Sequence, residues 1–223
     1  MRPTVAILID GGFFLKRYYD LYNGAETHNA QTIARNICRA AMKHVPANYD
    51  LYRIFYYDCS PLGKRVHNPV TGKCIDLARS DLYKLRLELF EKLKKKRKVA
   101  LRLGRIKDTG SWQIYPSKVK ALLKGEITVN DIKEGDVFYE MRQKGIDMKI
   151  GVDIASLSLK KQVNQIVLIS GDEDFVPASK LARREGIDFI LDPLWNHIDA
   201  NLFEHIDGLN STSPRPAGKQ ARN

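Results

Sequence analysis

Apolar residues fall into short runs separated by longer stretches with helical spacing. Thr4–Ile9 (TVAILI), Asp50–Tyr57 (DLYRIFYY), Ile166–Ile169 (IVLI) and Ile187–Leu191 (IDFIL) are rich in β-branched, aliphatic and aromatic residues and read as strands. Between them, Phe13–Tyr22 reads as a helix. In Ala30–Val45, Ile33, Ile37, Ala40, Ala41 and His44 share one helical face. Leu77–Leu93 repeats leucine at 82, 85, 89 and 93, and a helix after Phe175 carries Ala178, Leu181 and Ala182 up to Gly186. Val99–Ile106 alternates and reads as a strand, Gly110–Pro116 as a hairpin arm, and Ser117–Lys133 as holding a short amphipathic helix. Asn201–Leu209 is predicted to be a closing helix. Ser211–Asn223 is polar, basic and predicted to be disordered.

The chemistry sits where these elements end. Ile166–Ile169 stops at Ser170-Gly171, and Asp172 and Asp174 follow at once. Acids at the carboxyl end of a strand, just ahead of a helix, lie where open α/β sheets bind ligands. Asp10 ends the first strand and Asp58 the second. Asp147 is placed before a predicted helix, in a turn opened by Lys144-Gly145, within the stretch KGIDMKIGVDIASLSLK at 144–160. Further along it, Asp153 falls on a helical face with Ile150 and Leu157, where a lone carboxylate is costly unless paired or metal-bound. Aspartate is also a favoured helix N-cap, which gives Asp153, and one of Asp172 and Asp174, an alternative role.

If the strands lie parallel, three to five of these acids converge. Two uncompensated carboxylates about 4 Å apart repel by roughly 4 kcal/mol at an effective dielectric near 20, so such a cluster protonates or holds a cation. Oxygen ligands without Cys or His favour Mg²⁺ or Mn²⁺. A hydrated hard metal of this kind suits phosphodiester hydrolysis.

Charge changes the picture in the same direction. The net charge is +11, which favours phosphate-rich partners. Lys94, Lys95, Lys96, Arg97 and Lys98 form a run that reads either as a solvated helix end or as a phosphate track, with Arg102, Arg105 and Lys144 as further backbone contacts. Cys38, Cys59 and Cys74 form no C-x-x-C pair, which argues against a disulfide scaffold and fits a reducing cytoplasm. No apolar run is long enough to span a bilayer, and the N-terminus does not read as a signal peptide.

Three stretches, LIDGG at 8–12, KGIDMKIGVDIASL at 144–157 and LISGDEDFVPASKLARREGIDF at 168–189, together resemble the NYN-domain (LabA-like) branch of the PIN-like nucleases. The resemblance implies a three-layer α/β/α, Rossmann-like fold with a mostly parallel central sheet. It implies metal-dependent RNA cleavage by water, with Asp10, Asp153 and Asp172 as the metal-binding acids, joined by Asp174 and supported by Asp147. Family members often carry an asparagine shortly after the first aspartate; Phe13 and Phe14 stand there instead. The expected organisation is one domain over 1–210, with a basic, less regular insert at about 60–145, and a tail at 211–223. RNA is the expected partner, DNA a second candidate, and the 60–145 segment a surface for a second copy or another protein.

Other classes fit less well. An RNA- or protein-binding module with a degenerate site would have no need to keep repelling carboxylates together. A haloacid-dehalogenase-like phosphotransferase needs an aspartate where Gly12 stands, and a topoisomerase-primase-like site needs a glutamate where Asp10 stands. Cys59, His67 and Cys74 lack an obvious fourth zinc partner.

Overall fold

The computed structural model describes residues 2–216. Nine strands form, in chain order β1 (Thr4–Asp10), β2 (Asp50–Cys59), β3 (Arg65–His67), β4 (Cys74–Asp76), β5 (Val99–Ile114), β6 (Val137–Lys144), β7 (Gln165–Ile169), β8 (Asp188–Asp192) and β9 (Gly208–Leu209). The helices are α1 (Gly11–Leu21), α2 (Ala30–Met42), α3 (Asp81–Lys94), α4 (Pro116–Leu123), α5 (Ile146–Leu159), α6 (Val176–Arg184) and α7 (Ala200–Glu204). Seven strands make one sheet in the order β6-β5-β2-β1-β7-β8-β9, parallel except for β6.

The apolar runs are continuous because the central strands are covered on both faces. Val5, Ile7 and Ile9 of β1 join Phe14, Leu15, Tyr18, Ile33, Ile37, Leu89 and Phe90 in one core with α1, α2 and α3. Ala6 and Leu8 face the other way, into a core with Ile150, Ile154, Phe175 and Leu202 from α5, the turn before α6, and α7. The result is the three-layer α/β/α arrangement with a mostly parallel sheet. β1 is central, with β2 on one side and β7 on the other. The chain therefore reverses its direction of travel across the sheet beside β1, and the carboxyl ends of β1 and β7 flank the crevice this opens.

The segment 60–145 is more regular than its sequence indicates. β5 runs as one strand through Gly110, not as a strand and a separate arm, and β6 pairs antiparallel with its outer half. This ribbon continues past Cys59, the last residue of β2, and so projects beyond the carboxyl edge of the sheet. The β3–β4 hairpin braces it: Asn68 donates to the Glu134 carbonyl at 3.2 Å, and Lys64 pairs with Asp108 at 2.6 Å.

Two expectations at the C-terminus are corrected. Asn201–Leu209 is not one helix: α7 ends at Glu204, and Gly208–Leu209 adds an edge strand to β8. Asp207 makes this turn by accepting from Phe189 N and Arg183 Nε. The expected disordered tail also starts too early. Ser211 Oγ donates to the buried Asp192 at 2.8 Å, Thr212 Oγ1 contacts His44, and Ser213 is buried. Residues 217–223 of that tail lie outside the described residues.

Candidate active site at the carboxyl edge of the sheet

Asp10 ends β1 and caps α1, accepting from Phe13 N at 3.0 Å. Asp172 follows β7 and accepts from Asp174 N at 3.0 Å, so capping holds its carboxylate at the sheet edge rather than excluding a site there. Gly11 lets the first turn of α1 sit on the sheet, because a Cβ there would lie 2.5 Å from Tyr56 Cζ and 2.6 Å from the Tyr57 carbonyl oxygen. The ring of Phe13 packs on Gly171 and joins Asp10, Ser170, Asp172, Glu173 and Asp199 around one open hollow. Three of these lining groups, Ser170, Glu173 and Asp199, were not flagged by sequence reasoning. Asp199 caps α7, and only the fold brings it here. Ser170 Oγ is buried without a hydrogen-bond partner among the described residues; a hydroxyl at a strand's carboxyl end was its only sequence signal.

The electrostatics show which acids share a field. Burial raises the Asp10 carboxyl to about 6 against the pull of the Phe13 amide, with added repulsion from Asp147 and Asp58. Asp147, in the first turn of α5, is also raised, first by desolvation and then by Asp172 and Asp174. Asp10, Asp147, Asp172, Glu173, Asp174 and Asp199 have no ion-pair partner among the described residues.

Asp58 and Asp153 behave differently. Asp58 is fully buried, but Arg86 pairs with it and Cys59 N donates to it at 2.7 Å. Asp153 does not join the cluster. Tyr57 OH and Arg102 Nε both donate to its Oδ2, at 2.8 and 2.9 Å. The partners this helix-face carboxylate finds in the fold are an arginine and a tyrosine. The place expected for Asp153 among the uncompensated acids is taken by Asp147, at the start of α5.

Residues 87–194 match the NYN domain family. The match spans slightly less than half of the chain and suggests a nuclease-like family. The NYN match begins within α3, inside the segment expected to be an insert, and takes in Asp147, Asp153, Asp172 and Asp174 but not Asp10. Among solved structures, the chain is similar to a protein of unknown function from Vibrio parahaemolyticus RIMD 2210633, with 12% identity, a TM-score of 0.44, and coverage of 93% of this chain and 91% of that one. No curated protein matches the sequence. Among the described residues, no helix is long and apolar enough to cross a membrane.

The basic residues of the NYN segment separate by strand direction. Lys94 ends α3, and Lys95–Lys98 lead into the amino end of β5, where Lys98 Nζ donates to the carbonyl of Leu51 at the start of β2. That is the opposite edge of the sheet from the acids, about 20 Å away at 3.3 Å per strand residue. Lys94–Lys98 therefore do not flank the site, and Arg102 is occupied by Asp153. Arg105 and Lys144, paired across β5 and β6 just beyond Cys59, do lie at the acidic edge.

Proposed function

We propose that the carboxyl edge is the centre of a metal-dependent nuclease that hydrolyses RNA phosphodiester bonds. The observation that carries this reading is a set of uncompensated acids around a switch-point hollow in a protein of net charge +11. Among the described residues, no three His, Cys, Asp or Glu side chains are close enough to enclose an ion by themselves. A metal here would be Mg²⁺ or Mn²⁺, held by one or two carboxylates with the rest of its shell supplied by water and substrate phosphate. The unpartnered Ser170 hydroxyl beside Asp10 fits the same account, since an unsatisfied buried polar group marks a place for water or an ion.

Asp10 and Asp172 would hold the metal, with Asp147 and Asp174 supporting it. When bound, the metal supplies an activated water and neutralises charge on the phosphate. Burial raises the Asp10 carboxyl, and a dication held beside it would favour its ionised form. The N-terminal turn of α1, fixed by Gly11, holds Asp10 in place. Phe13 and Gly171 form an apolar wall beside it.

A labelled single-stranded RNA incubated with Mn²⁺, Mg²⁺ or EDTA tests this. Wild-type protein should cut only with metal, and Asp172→Asn should bind the RNA without cutting it. Equal cleavage by wild type and Asp172→Asn would remove the assignment. The lack of a three-acid cluster favours a second reading, an RNA-binding module without turnover, and binding with no metal-dependent cleavage by wild type would establish it.

A further inference from the structure

The ribbon of β5 and β6 carries a feature that folding alone does not favour. Arg105 stands directly opposite Lys144, and Lys107 directly opposite Arg142. Residues opposite each other on paired strands project from the same face, and like charges there destabilise the pairing. All four side chains are exposed. Glu140 pairs with Arg142 at 2.6 Å, while Arg105, Lys107 and Lys144 have no ion-pair partner among the described residues. Alternate residues along a strand repeat about every 7 Å, on the order of the step between phosphates of an extended single strand. Further out on the same face of β6, Phe138 packs on the half-exposed ring of Tyr115, 4.9 Å between centroids. A basic strip followed by aromatic rings combines the two features that hold single-stranded nucleic acid without sequence preference.

The placement gives this face a destination. Lys144 is three residues before Asp147, and Gly145, with φ of 83°, makes the turn between them. Gln143, the neighbour of Lys144, lies against Gly12 in the first turn of α1, where a Cβ would be 2.9 Å from its Oε1. The inner end of the ribbon therefore touches the element that carries Asp10.

We propose that this face of the β5–β6 ribbon is a track for the phosphodiester backbone of single-stranded RNA, with Arg105, Lys107, Arg142 and Lys144 leading the strand to the acidic edge. It deepens the nuclease reading, but binding along the ribbon can be measured apart from cleavage.

The test is the salt dependence of binding of a fluorescein-labelled 20-nucleotide RNA, in EDTA, to the full chain. For single strands the log–log slope changes by about 0.7 per phosphate contact. The Arg105→Gln/Lys107→Gln/Lys144→Gln triple variant should have a slope shallower by about 2 and an affinity at least about 10-fold lower near 0.1 M salt. Its melting temperature should stay level or rise, because cross-strand repulsion is relieved. A Lys95→Gln/Lys96→Gln/Arg97→Gln variant, altered at the far edge, should bind like wild type. An unchanged slope in the ribbon variant, an equal loss in the far-edge variant, or a lower melting temperature of the ribbon variant would each overturn the track. Asp172→Asn separates the two readings: it should keep the full slope and lose cleavage. If wild type binds through the ribbon but never cuts, the metal centre fails and the track stands.

Discussion

The two ends of the sheet carry opposite chemistry. At the carboxyl edge, six acids stand without a basic partner among the described residues, around the ends of β1 and β7 and the starts of α5 and α7. At the amino edge, Lys95–Lys98 gather where α3 turns into β5. Both clusters are conspicuous along the chain, yet they are about a strand length apart. The contrast shows that a run of charge acquires a role only when strand direction decides which edge it reaches. Arg105 and Lys107 look less notable in sequence than Lys94–Lys98, but they lie past the end of β2, and the lysine run lies before its partner strand begins.

The largest expected effect comes from breaking this division inside one helix. Asp147 and Asp153 are both on α5, one uncompensated at the edge and one held by Arg102 and Tyr57. Asp147→Asn should lower metal-dependent cleavage by about 1,000-fold, which is ~4 kcal/mol of transition-state stabilisation. Asp153→Asn should change it by less than about 10-fold and act instead through stability, because Arg102 loses its counter-ion. Initial rates at saturating Mn²⁺, read beside melting curves, check both. A reversed order would restore Asp153 as the acid of the centre.

How much of this could be read from the chain depends on the range of the interactions. The buried strands were legible because parallel strands need apolar residues on both faces, and Thr4–Ile9 and Ile166–Ile169 supply them without interruption. The placement of Asp10, Asp172 and Asp174 at one edge was legible because strand ends point there. Asp153 was misplaced for a definite reason. Its apolar setting does demand a partner, but that partner is Arg102, 51 residues away on β5, and no local pattern records the pair. The lysine run was visible as a charge but not as a position. Ser211–Ser213 looked unstructured because its order comes from hydrogen bonds to Asp192, Ala40 and Trp195 rather than from apolar burial. Asp199 enters the hollow only because α7 folds back over the sheet edge.

Asp58 is the exception among the strand-end acids, and its counter-ion allows a second, smaller test. It is buried at the end of β2 with Arg86 as its cation, and burial still raises its carboxyl despite that arginine. Arg86→Met should destabilise the fold by about 3 kcal/mol near neutral pH, the usual result of leaving one partner of a buried pair alone. Asp58 must then fold protonated. Its folded pKa lies above the unfolded value, so the loss should be small below about pH 4 and grow as pH rises. Adding Asp58→Asn to Arg86→Met should recover most of the loss in urea unfolding at pH 7. No recovery would show that Arg86 acts by packing α3 and not by charge.

The smallest effect concerns Asp10 and sharpens the comparison most directly, because it asks whether the acidic edge strains the fold it belongs to. The unfolded chain releases this proton near the ordinary value of 3.8, and the folded chain holds it to about 6. As pH rises between those values, the unfolded state ionises first and gains free energy that the folded state does not. Stability therefore falls across that window and stays lower above it. The full shift corresponds to ~3 kcal/mol; solvent screening at the open edge reduces this to about 1–2 kcal/mol. Asp10→Asn keeps an N-cap of equal quality for α1 and removes the ionisation. In EDTA at pH 7.5 it should be the more stable protein by that amount, and at pH 3.5 the two should be equal. Mg²⁺ should raise the melting temperature of wild type more than that of Asp10→Asn, which has lost one of the carboxylates that would hold it. If Asp10→Asn were the less stable protein at pH 7.5 in EDTA, the carboxylate would be satisfied by its caps alone, and the contrast between the two edges would lose its main electrostatic support.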